Sequence, residues 1–341
     1  MGAFVVTPRR GSSVASRSDT GAGPEPAPAQ RRRIPDDPAL DPLREYLLAP
    51  DVTDVFVNGE RGVFVDRGRG AERAGEWRPT DAEVRALAVA SIALGGRHLD
   101  DATPCADVRW PGGIRVHAVL SPVACEGSAI SIRLPAIEQL SLDDLERRGM
   151  FDADVAGRLR RLVANRTNLL VTGATGAGKT TLLAALLSCA SPAERIVTIE
   201  DVAELRLDHP HHVRLEARQP NLEGAGAVPL ARLVREALRM RPDRLIVGEC
   251  RGEEVRELLT ALNTGHHGGA GTVHAGSLAD VPARLEALGA LAGLDDHGVA
   301  RQVVSAIGAV IHVGHADGVR RVSGIARPAL RDGRLVVEEW S

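Results

Sequence analysis

The chain contains 341 residues, of which 44% are hydrophobic and 26% are charged. These proportions are typical of a globular protein, and the length suggests about two domains. The formal net charge at pH 7 is -3 and only 2% of the residues are aromatic. This composition argues against a strongly basic nucleic-acid binder and against stacking of single-stranded bases on aromatic side chains. The four cysteines have no C-x-x-C spacing, so the sequence gives no indication of a zinc ribbon or a disulfide framework.

Residues 1–38 are rich in Ser, Gly, Ala, Pro and Arg and have no sustained apolar period, so we expect a disordered tail. Through Pro35 this tail carries six arginines and two acidic residues, a formal charge of +4. It is either a solvated extension or a basic segment that contacts anionic lipid or a partner protein. No apolar run in the chain approaches the roughly 18 residues of a membrane span, and we expect a cytoplasmic protein.

Residues 39–138 are predicted to form a small α/β domain. Alternating apolar residues indicate strands, and an Asn-Gly-Glu turn between the first two strands indicates a hairpin. A capping box formed by Thr80 and Glu83 indicates the start of a helix that ends at Gly95. The predicted strands are 54–57, 62–65, 106–110, 114–120 and 128–134.

Three arginines of this first predicted domain, Arg109, Arg115 and Arg133, alternate with apolar residues on predicted strands. Side chains at alternate strand positions project from one face of a sheet. Each arginine is therefore either an ordinary surface residue or a group that reaches toward a phosphate. The sequence alone leaves both interpretations open.

Residues 139–150 are predicted to be a linker with a short helix, and residues 151–341 a second α/β domain. In this second part near-continuous apolar strands alternate with helices, the pattern of a parallel sheet covered on both faces. Ligands of such sheets bind beyond the carboxyl ends of the strands. The predicted strands are 168–172, 195–199, 244–247 and 270–273, and the predicted helices are 152–165, 229–240 and 252–263.

The segment between residues 173 and 181 matches the P-loop (Walker A) pattern G-x-x-x-x-G-K-[ST] and lies between a predicted strand and a leucine-rich helix. Its glycines would let successive backbone N–H groups face one polyphosphate, which the positive end of the following helix attracts. Lys179 would reach the β- and γ-phosphates of ATP, and the Thr180 hydroxyl would bind Mg²⁺. The predicted nucleotide-binding residues are Gly173, Ala174, Thr175, Gly176, Ala177, Gly178, Lys179, Thr180 and Thr181.

Lys179 is the single lysine among the 42 lysine and arginine residues of the chain. A compact ammonium suits a position between phosphates, where a planar guanidinium would substitute poorly. The lone lysine therefore favours a nucleotide site over a glycine-rich turn without a ligand.

Polar residues follow three of the predicted strands of the second domain at their carboxyl ends. These residues are Glu200, Asp201, Glu249 and His274. Because the carboxyl ends of parallel strands meet at one edge of a sheet, we expect the four side chains to converge on the P-loop.

ATP hydrolysis requires an oriented water, a metal ion and cations around the transferred phosphate. Glu249 occupies the Walker B position and would act on Mg²⁺ through water or serve as the base. Glu200 is the second candidate for polarising the water, and Asp201 is a further candidate for the metal ion. His274 could donate a hydrogen bond to the γ-phosphate and so report its loss.

Seven further segments are informative as a set, namely 113–118, 130–133, 197–201, 214–218, 238–249, 263–266 and 271–275. Together they resemble the ATPases of type II and type IV secretion systems, most closely the CpaF-type ATPases of tight-adherence (Tad/Flp) pilus assembly. The resemblance runs from about Asp54 to about Val322. It implies a RecA-like core, ATP and Mg²⁺ as cofactors, a ring of six identical subunits, and an inner-membrane platform protein as partner. It also implies arginines that reach the nucleotide across a subunit or domain boundary, for which Arg115 and Arg133 are the candidates.

We therefore expect an α/β protein in which a RecA-like P-loop NTPase domain follows a smaller α/β domain. The first functional hypothesis is a hexameric Mg-ATPase that drives pilin assembly at the inner face of the plasma membrane through its partner. The second is a type IV secretion or conjugal-transfer ATPase, the third a RecA-like nucleic-acid motor, and the fourth a nucleotide-binding scaffold without turnover. The composition disfavours the third hypothesis, so no sequence-specific nucleic acid is expected, and the presence of Glu200 and Glu249 disfavours the fourth.

Overall fold

The computed structural model describes residues 32–68, 70–135, 139–218, 225–316 and 319–340. Of the predicted tail, residues 1–31 lie outside these ranges. Arg32 is buried, and its guanidinium donates hydrogen bonds to the backbone carbonyls of Ala49, Val52 and Pro135. The chain is therefore fixed to the first sheet from Arg32 onward, upstream of the boundary that the sequence predicts at residue 38.

The first part of the chain forms an antiparallel six-stranded sheet with helical segments on one face. The strand order is β3-β2-β1-β6-β5-β4. Its strands are β1 (Asp54–Asn58), β2 (Val63–Asp66), β3 (Ala71–Ala74), β4 (Cys105–Trp110), β5 (Ile114–Val119) and β6 (Ala129–Arg133). Its helices are α1 (Arg44–Leu48), α2 (Asp81–Leu94) and the 3₁₀ segments Pro38–Leu43 and Gly59–Arg61.

Alternation of side chains along the strands gives this sheet one apolar and one polar face. Val55, Ile132 and Val116 are buried with Val84 and Leu87 of α2 in one hydrophobic cluster. Because neighbouring residues on a strand point to opposite faces, the charged residues between these apolar ones project away from α2. The polar face is the one that meets the second part of the molecule.

The predicted hairpin, the three later strands and the helix of the first part are confirmed, with boundaries that differ by one or two residues. β3 was not predicted, because its sequence Ala-Glu-Arg-Ala has no apolar alternation and its residues are mostly exposed. β3 instead forms by pairing with β2 along the edge of the sheet. The formation of an edge strand of this kind depends on pairing with its neighbour and not on its own sequence.

The capping box at the start of α2 is also confirmed. The Thr80 hydroxyl accepts the Glu83 backbone N–H, and the Glu83 carboxylate accepts the Thr80 backbone N–H. We expect Thr80→Ala to lower the free energy of unfolding by about 1 kcal/mol, because one N–H group of the first turn loses its acceptor. Denaturant unfolding measures this change, with Thr260→Ala in the exposed face of a later helix as control. An equal loss in both variants would contradict a capping role.

The second part forms a mixed eight-stranded sheet with the order β14-β13-β12-β7-β11-β10-β8-β9. The strands from β12 to β9 in this order are parallel, and the two at the other edge are antiparallel. Alternate residues of β7 enter two different hydrophobic clusters, so both faces of the sheet are covered. The strands are β7 (Leu169–Gly173), β8 (Ile196–Glu200), β9 (His212–Glu216), β10 (Arg244–Val247), β11 (Ala270–His274), β12 (Ala309–Ala316), β13 (Val319–Arg331) and β14 (Arg334–Glu339).

The helices of this part are α3 (Leu142–Arg147), α4 (Ala153–Ala164), α5 (Lys179–Leu187), α6 (Leu230–Leu238), α7 (Glu254–Asn263), α8 (Val281–Leu291) and α9 (Asp296–Ala306). The four predicted strands and the predicted helices are confirmed. α8, α9, β9 and the β12–β14 meander were not predicted from strand and helix patterns. Across the described ranges, none of the helices has the length and apolar content needed to cross a bilayer.

Candidate active site

A cavity of about 460 Å³ lies between the polar face of the first sheet and the P-loop. The first sheet contributes strand-end residues to its lining, and the second part contributes the P-loop and two neighbouring segments. Charged and hydroxyl side chains in the lining are Thr53, Asp54, Asp66, Arg115, Arg133, Lys179, Thr180, Thr181, Glu204, Arg206 and Arg320. The cavity therefore combines the predicted phosphate-binding loop with two of the three arginines singled out on the first sheet.

The P-loop has the backbone that its glycines permit. Gly173, Gly176 and Gly178 have φ angles of 151°, 72° and 100°, values that side chains rarely allow. A Cβ atom at Gly173 would lie 2.3 Å from the carbonyl oxygen of Val313, so the turn also requires a residue without a side chain at this position. α5 begins directly after Gly178 with no side-chain cap, which leaves the first-turn N–H groups for an anion.

Lys179 is folded into the loop that carries it. Its side chain is 7% exposed, and Nζ donates to the carbonyl oxygens of Gly173 at 3.0 Å and Ala174 at 2.9 Å. The same nitrogen lies 3.5 Å from Nδ1 of His274. Burial lowers the pKa of Lys179, while the negative charge of Glu249 opposes that shift. The ammonium is thus held at the floor of the cavity by weak neutral acceptors, which an anionic phosphate would outcompete.

Glu249 and His274 meet at the carboxyl ends of neighbouring strands. Glu249 forms a salt bridge with Arg251, and its other carboxylate oxygen contacts Nε2 of His274. Burial lowers the pKa of His274, and the Glu249 carboxylate acts against that shift. The structure therefore brings together Lys179, His274 and Glu249, as the sequence predicts. Of the described residues, however, Glu249 and His274 are not among those that line the cavity; the carboxylate instead contacts Arg251 and His274.

Glu200 is placed differently from the prediction. Oε1 accepts hydrogen bonds from the backbone N–H groups of Glu204 at 3.1 Å and Leu205 at 2.9 Å, and the residue is 5% exposed. Oε2 is buried and has no hydrogen-bond partner among the described residues. Its side chain packs so closely on Gly248 that a Cβ there would lie 2.5 Å from Cγ of Glu200. Glu200 therefore holds the loop after β8, and in this structure its carboxylate does not face the cavity.

The buried Glu200 carboxyl should make stability depend on pH. Burial raises its pKa from 4.5 to about 7. Between these values the folded chain binds more protons than the unfolded chain, so stability falls as the pH rises, by up to about 1.4 kcal/mol per pH unit from this group. Glu200→Gln should flatten this part of the curve in urea unfolding followed across pH. Glu253→Gln at an exposed position is the control, and an unchanged slope in Glu200→Gln would contradict the assignment.

The three predicted arginines have different surroundings. Nη2 of Arg115 forms a salt bridge with Oε1 of Glu204 at 3.0 Å. Arg133 is exposed in the cavity wall and forms no salt bridge with any described residue. Arg109 instead pairs with Glu216 at 3.1 Å and with the Ala217 carbonyl at 3.0 Å, and it lines a separate cavity. Arg115 and Arg133 therefore face the P-loop of their own chain, whereas Arg109 joins the two sheets.

Five charged residues of the described lining were not among the predicted site residues: Asp54 and Asp66 of the first sheet, and Glu204, Arg206 and Arg320 of the second part. Glu204 and Arg206 lie in the loop after β8, four to six residues beyond the carboxylate that the strand-end rule selects. Arg320 lies on β13, a strand that the apolar pattern did not reveal, and its Cδ lies close to Gly178. Glu204 and Arg206 could have been predicted from the length of the loop that follows β8, because loops at the carboxyl ends of parallel strands lie beside the ligand site.

The chain matches a known protein family over most of its length. The family model described as "Type II/IV secretion system protein" matches residues 39–314. A putative conjugal transfer protein of Mycobacterium tuberculosis is 47% identical over 311 residues, which cover 88% of this chain and 87% of that protein. The type IV secretion system protein VirB11 of Brucella suis is 33% identical over 267 residues, 70% of this chain and 73% of that protein.

Solved structures share the fold. The Legionella pneumophila ATPase DotB superposes with a TM-score of 0.56 at 20% identity, covering 87% of this chain and 78% of that chain. The pilus retraction motor PilT with bound ADP superposes with a TM-score of 0.58 at 20% identity, covering 87% of this chain and 81% of that chain. These similarities support the α/β architecture in which a smaller domain precedes a RecA-like ATPase domain.

Proposed function

Because the chain belongs to the type II/IV secretion system protein family and is an ATPase of that family, we propose that it hydrolyses Mg-ATP in the cavity between the P-loop and the first sheet. The observation that carries the proposal is the position of Lys179, which lies at the floor of a cavity whose opposite wall holds Arg115 and Arg133. Cations on two sides of one cavity can neutralise the negative charge on the three outer oxygens of a transferred phosphoryl group.

Each residue has a task that follows from its place. The P-loop N–H groups bind the phosphates, and Lys179 exchanges its carbonyl acceptors for phosphate oxygens. Arg133 reaches the outer phosphate directly, whereas Arg115 must first separate from Glu204. His274 contacts both Lys179 and Glu249, so it transmits the presence of the phosphate to the carboxylate. Glu249 orients and deprotonates the attacking water once the phosphate has drawn the neighbouring Arg251 guanidinium toward itself.

The donor set of the site fits Mg²⁺. Thr180 lines the cavity beside Lys179, and the Glu249 carboxylate contacts His274, which in turn contacts Lys179. Hydroxyl and carboxylate oxygens are donors that Mg²⁺ takes in phosphate sites. Asp201 is a second carboxylate near the same strand ends. The ion would neutralise charge on the phosphates, and Thr180 would bind it directly while Glu249 would do so through water.

We further propose that the protein is the motor of a type IV secretion or conjugal-transfer system, with pilin assembly by a CpaF-type machine as the alternative. The names of the relatives at 47% and 33% identity support the former. Such a motor acts as a ring of six copies at the inner face of the membrane, where the part comprising residues 39–138 moves against residues 151–341 when ATP is hydrolysed.

The proposal is tested by measuring ATP turnover per chain against protein concentration in Mg²⁺, together with the particle mass. The expected result is particles of six chains whose turnover is lost when EDTA removes Mg²⁺. Turnover that is absent at every concentration, in particles of any mass, would refute it. Stimulation by DNA instead of by assembly would favour a nucleic-acid motor.

A further inference from the structure

Five charged residues form one continuous row across the first sheet. In the register of the strands, Asp66 of β2 lies opposite Asp54 of β1, and Asp54 lies opposite Arg133 of β6. Arg133 lies opposite Arg115 of β5, which lies opposite Arg109 of β4. Directly opposite residues of antiparallel strands point to the same face. The row therefore runs over the polar face with two carboxylates at one end and three guanidinium groups at the other.

Four of the five residues of this row form one wall of the nucleotide cavity. Asp66, Asp54, Arg133 and Arg115 all line it, opposite the P-loop. Asp54 and Arg133 are direct cross-strand neighbours of opposite charge, yet within the described ranges neither is in a salt bridge with the other. Both side chains are thus directed toward the cavity instead of toward each other.

The row has a polarity that a nucleotide can match. Neighbouring strands are about 4.8 Å apart, so Asp54 lies one strand from Arg133 and Asp66 two strands, on the side away from Arg115. Phosphates are drawn to the end where Arg133, Arg115 and Lys179 lie. A carboxylate repels phosphate but accepts hydrogen bonds from hydroxyl groups, and the part of a nucleotide next to its phosphates that carries hydroxyl groups is the ribose.

We propose that Asp54, supported by Asp66, is the ribose-recognition site of this protein and accepts the ribose hydroxyls of the bound nucleotide. This inference rests on the proposed function, because it assigns the remaining end of the same cavity. The Thr53 hydroxyl donates to the Asp66 carbonyl at 3.2 Å, and Oδ1 of Asp66 accepts the N–H groups of Gly68 at 2.6 Å and Gly70 at 3.1 Å. These bonds fix the strand end and turn beside Asp54.

Asp54 is the residue that distinguishes ribonucleotides. A site that hydrogen-bonds a hydroxyl discriminates against a ligand that lacks it, because the acceptor is then left desolvated without a partner. Apolar groups of Leu134, Pro135 and Leu140 line the same cavity. The alternative role for Asp54 is to position Arg133 electrostatically. Ribose recognition predicts that an Asp54 substitution weakens only ligands that carry the sugar hydroxyl, whereas positioning of Arg133 predicts that it weakens every ligand that carries phosphate.

The test measures the affinities of ADP, 2′-deoxyADP and pyrophosphate for the full chain by calorimetry in Mg²⁺, with ligands that cannot be hydrolysed in the assay. The wild type should prefer ADP over 2′-deoxyADP by about tenfold, the size expected for one hydrogen bond to a charged group. Asp54→Ala should weaken ADP about tenfold, remove the preference, and leave pyrophosphate within about twofold. Asp107→Ala, an exposed carboxylate of β4 outside this cavity, is the matched control and should change none of the three.

Other outcomes overturn the inference. Equal affinity of the wild type for ADP and 2′-deoxyADP would show that Asp54 does not recognise the ribose. An equal loss of ADP and pyrophosphate binding in Asp54→Ala would show that Asp54 instead acts on phosphate binding through Arg133. If Asp54→Ala fails to fold, Asp54→Asn serves in its place, since it keeps the side-chain shape and should reduce the preference. If the wild type binds neither ADP nor pyrophosphate, the proposed function itself fails, and that result is distinct from a loss of sugar preference.

Discussion

Glu249→Gln should bind ATP as the wild type does and lose roughly 100-fold or more of its hydrolysis rate, the usual effect of removing a general base. The reason is charge: Glu249 is the carboxylate that contacts His274 and Arg251 at the phosphate end of the site. An amide keeps the shape of the side chain but cannot take a proton from water. Single-turnover hydrolysis separates this loss from a change in ATP affinity.

Glu204→Gln is the matched comparison for this variant. Glu204 is a carboxylate of the second part that lines the cavity, and it pairs with Arg115 at 3.0 Å. Its removal frees Arg115 and should change the rate much less than the Glu249 substitution does. If Glu204→Gln abolished hydrolysis while Glu249→Gln remained active, the base would be Glu204 and the assignment made here would be wrong.

Lys179→Ala should reduce turnover by roughly 100- to 1000-fold and weaken ATP binding, because the phosphates lose their one buried cation at the cavity floor. Lys179→Arg should recover little of this activity, since a planar guanidinium cannot occupy the space that a compact ammonium fills between two loop carbonyls. Arg235→Ala, at a solvent-exposed pair with Glu257, is the control for loss of a cation elsewhere.

The same residue offers a direct binding measurement. Lys179 is the single lysine of the chain, so an amine-reactive reagent has one side-chain target. ADP should protect that amine from modification if its phosphates cover it. Modification at the same rate with and without ADP would contradict the placement of phosphate at Lys179.

The P-loop and the strand ends could be predicted from the sequence because their signals are local. The glycines at 173, 176 and 178 are needed for backbone angles that other residues avoid, and β7, β8, β10 and β11 are buried on both faces and therefore mostly apolar. The local sequence of each of these elements was therefore sufficient to predict it. The same local rules placed α2 and its capping box.

Residues whose position depends on distant partners could not be predicted. β13 contains Arg320, Arg327 and Pro328, and it is a strand because β12 and β14 pair with it on its two sides. Glu200 ends a buried strand, where a catalytic carboxylate would lie, but its carboxylate accepts hydrogen bonds from backbone N–H groups of the following loop instead. The charged row across the first sheet needed the strand register, which links residues 54, 66, 109, 115 and 133 only after the chain has folded.

The central claim is that the P-loop and the arginines of the first sheet complete one site within one chain. The most direct measurement is ATP turnover in a mixture of Lys179→Ala and Arg133→Ala chains, each inactive alone. Because Arg133 lines the cavity of its own P-loop, every site in a mixed assembly retains one defect, and the predicted result is no turnover above that of the separate variants. Recovery of turnover on mixing would mean that Arg133 acts on a neighbouring subunit's nucleotide, and would contradict the site described here.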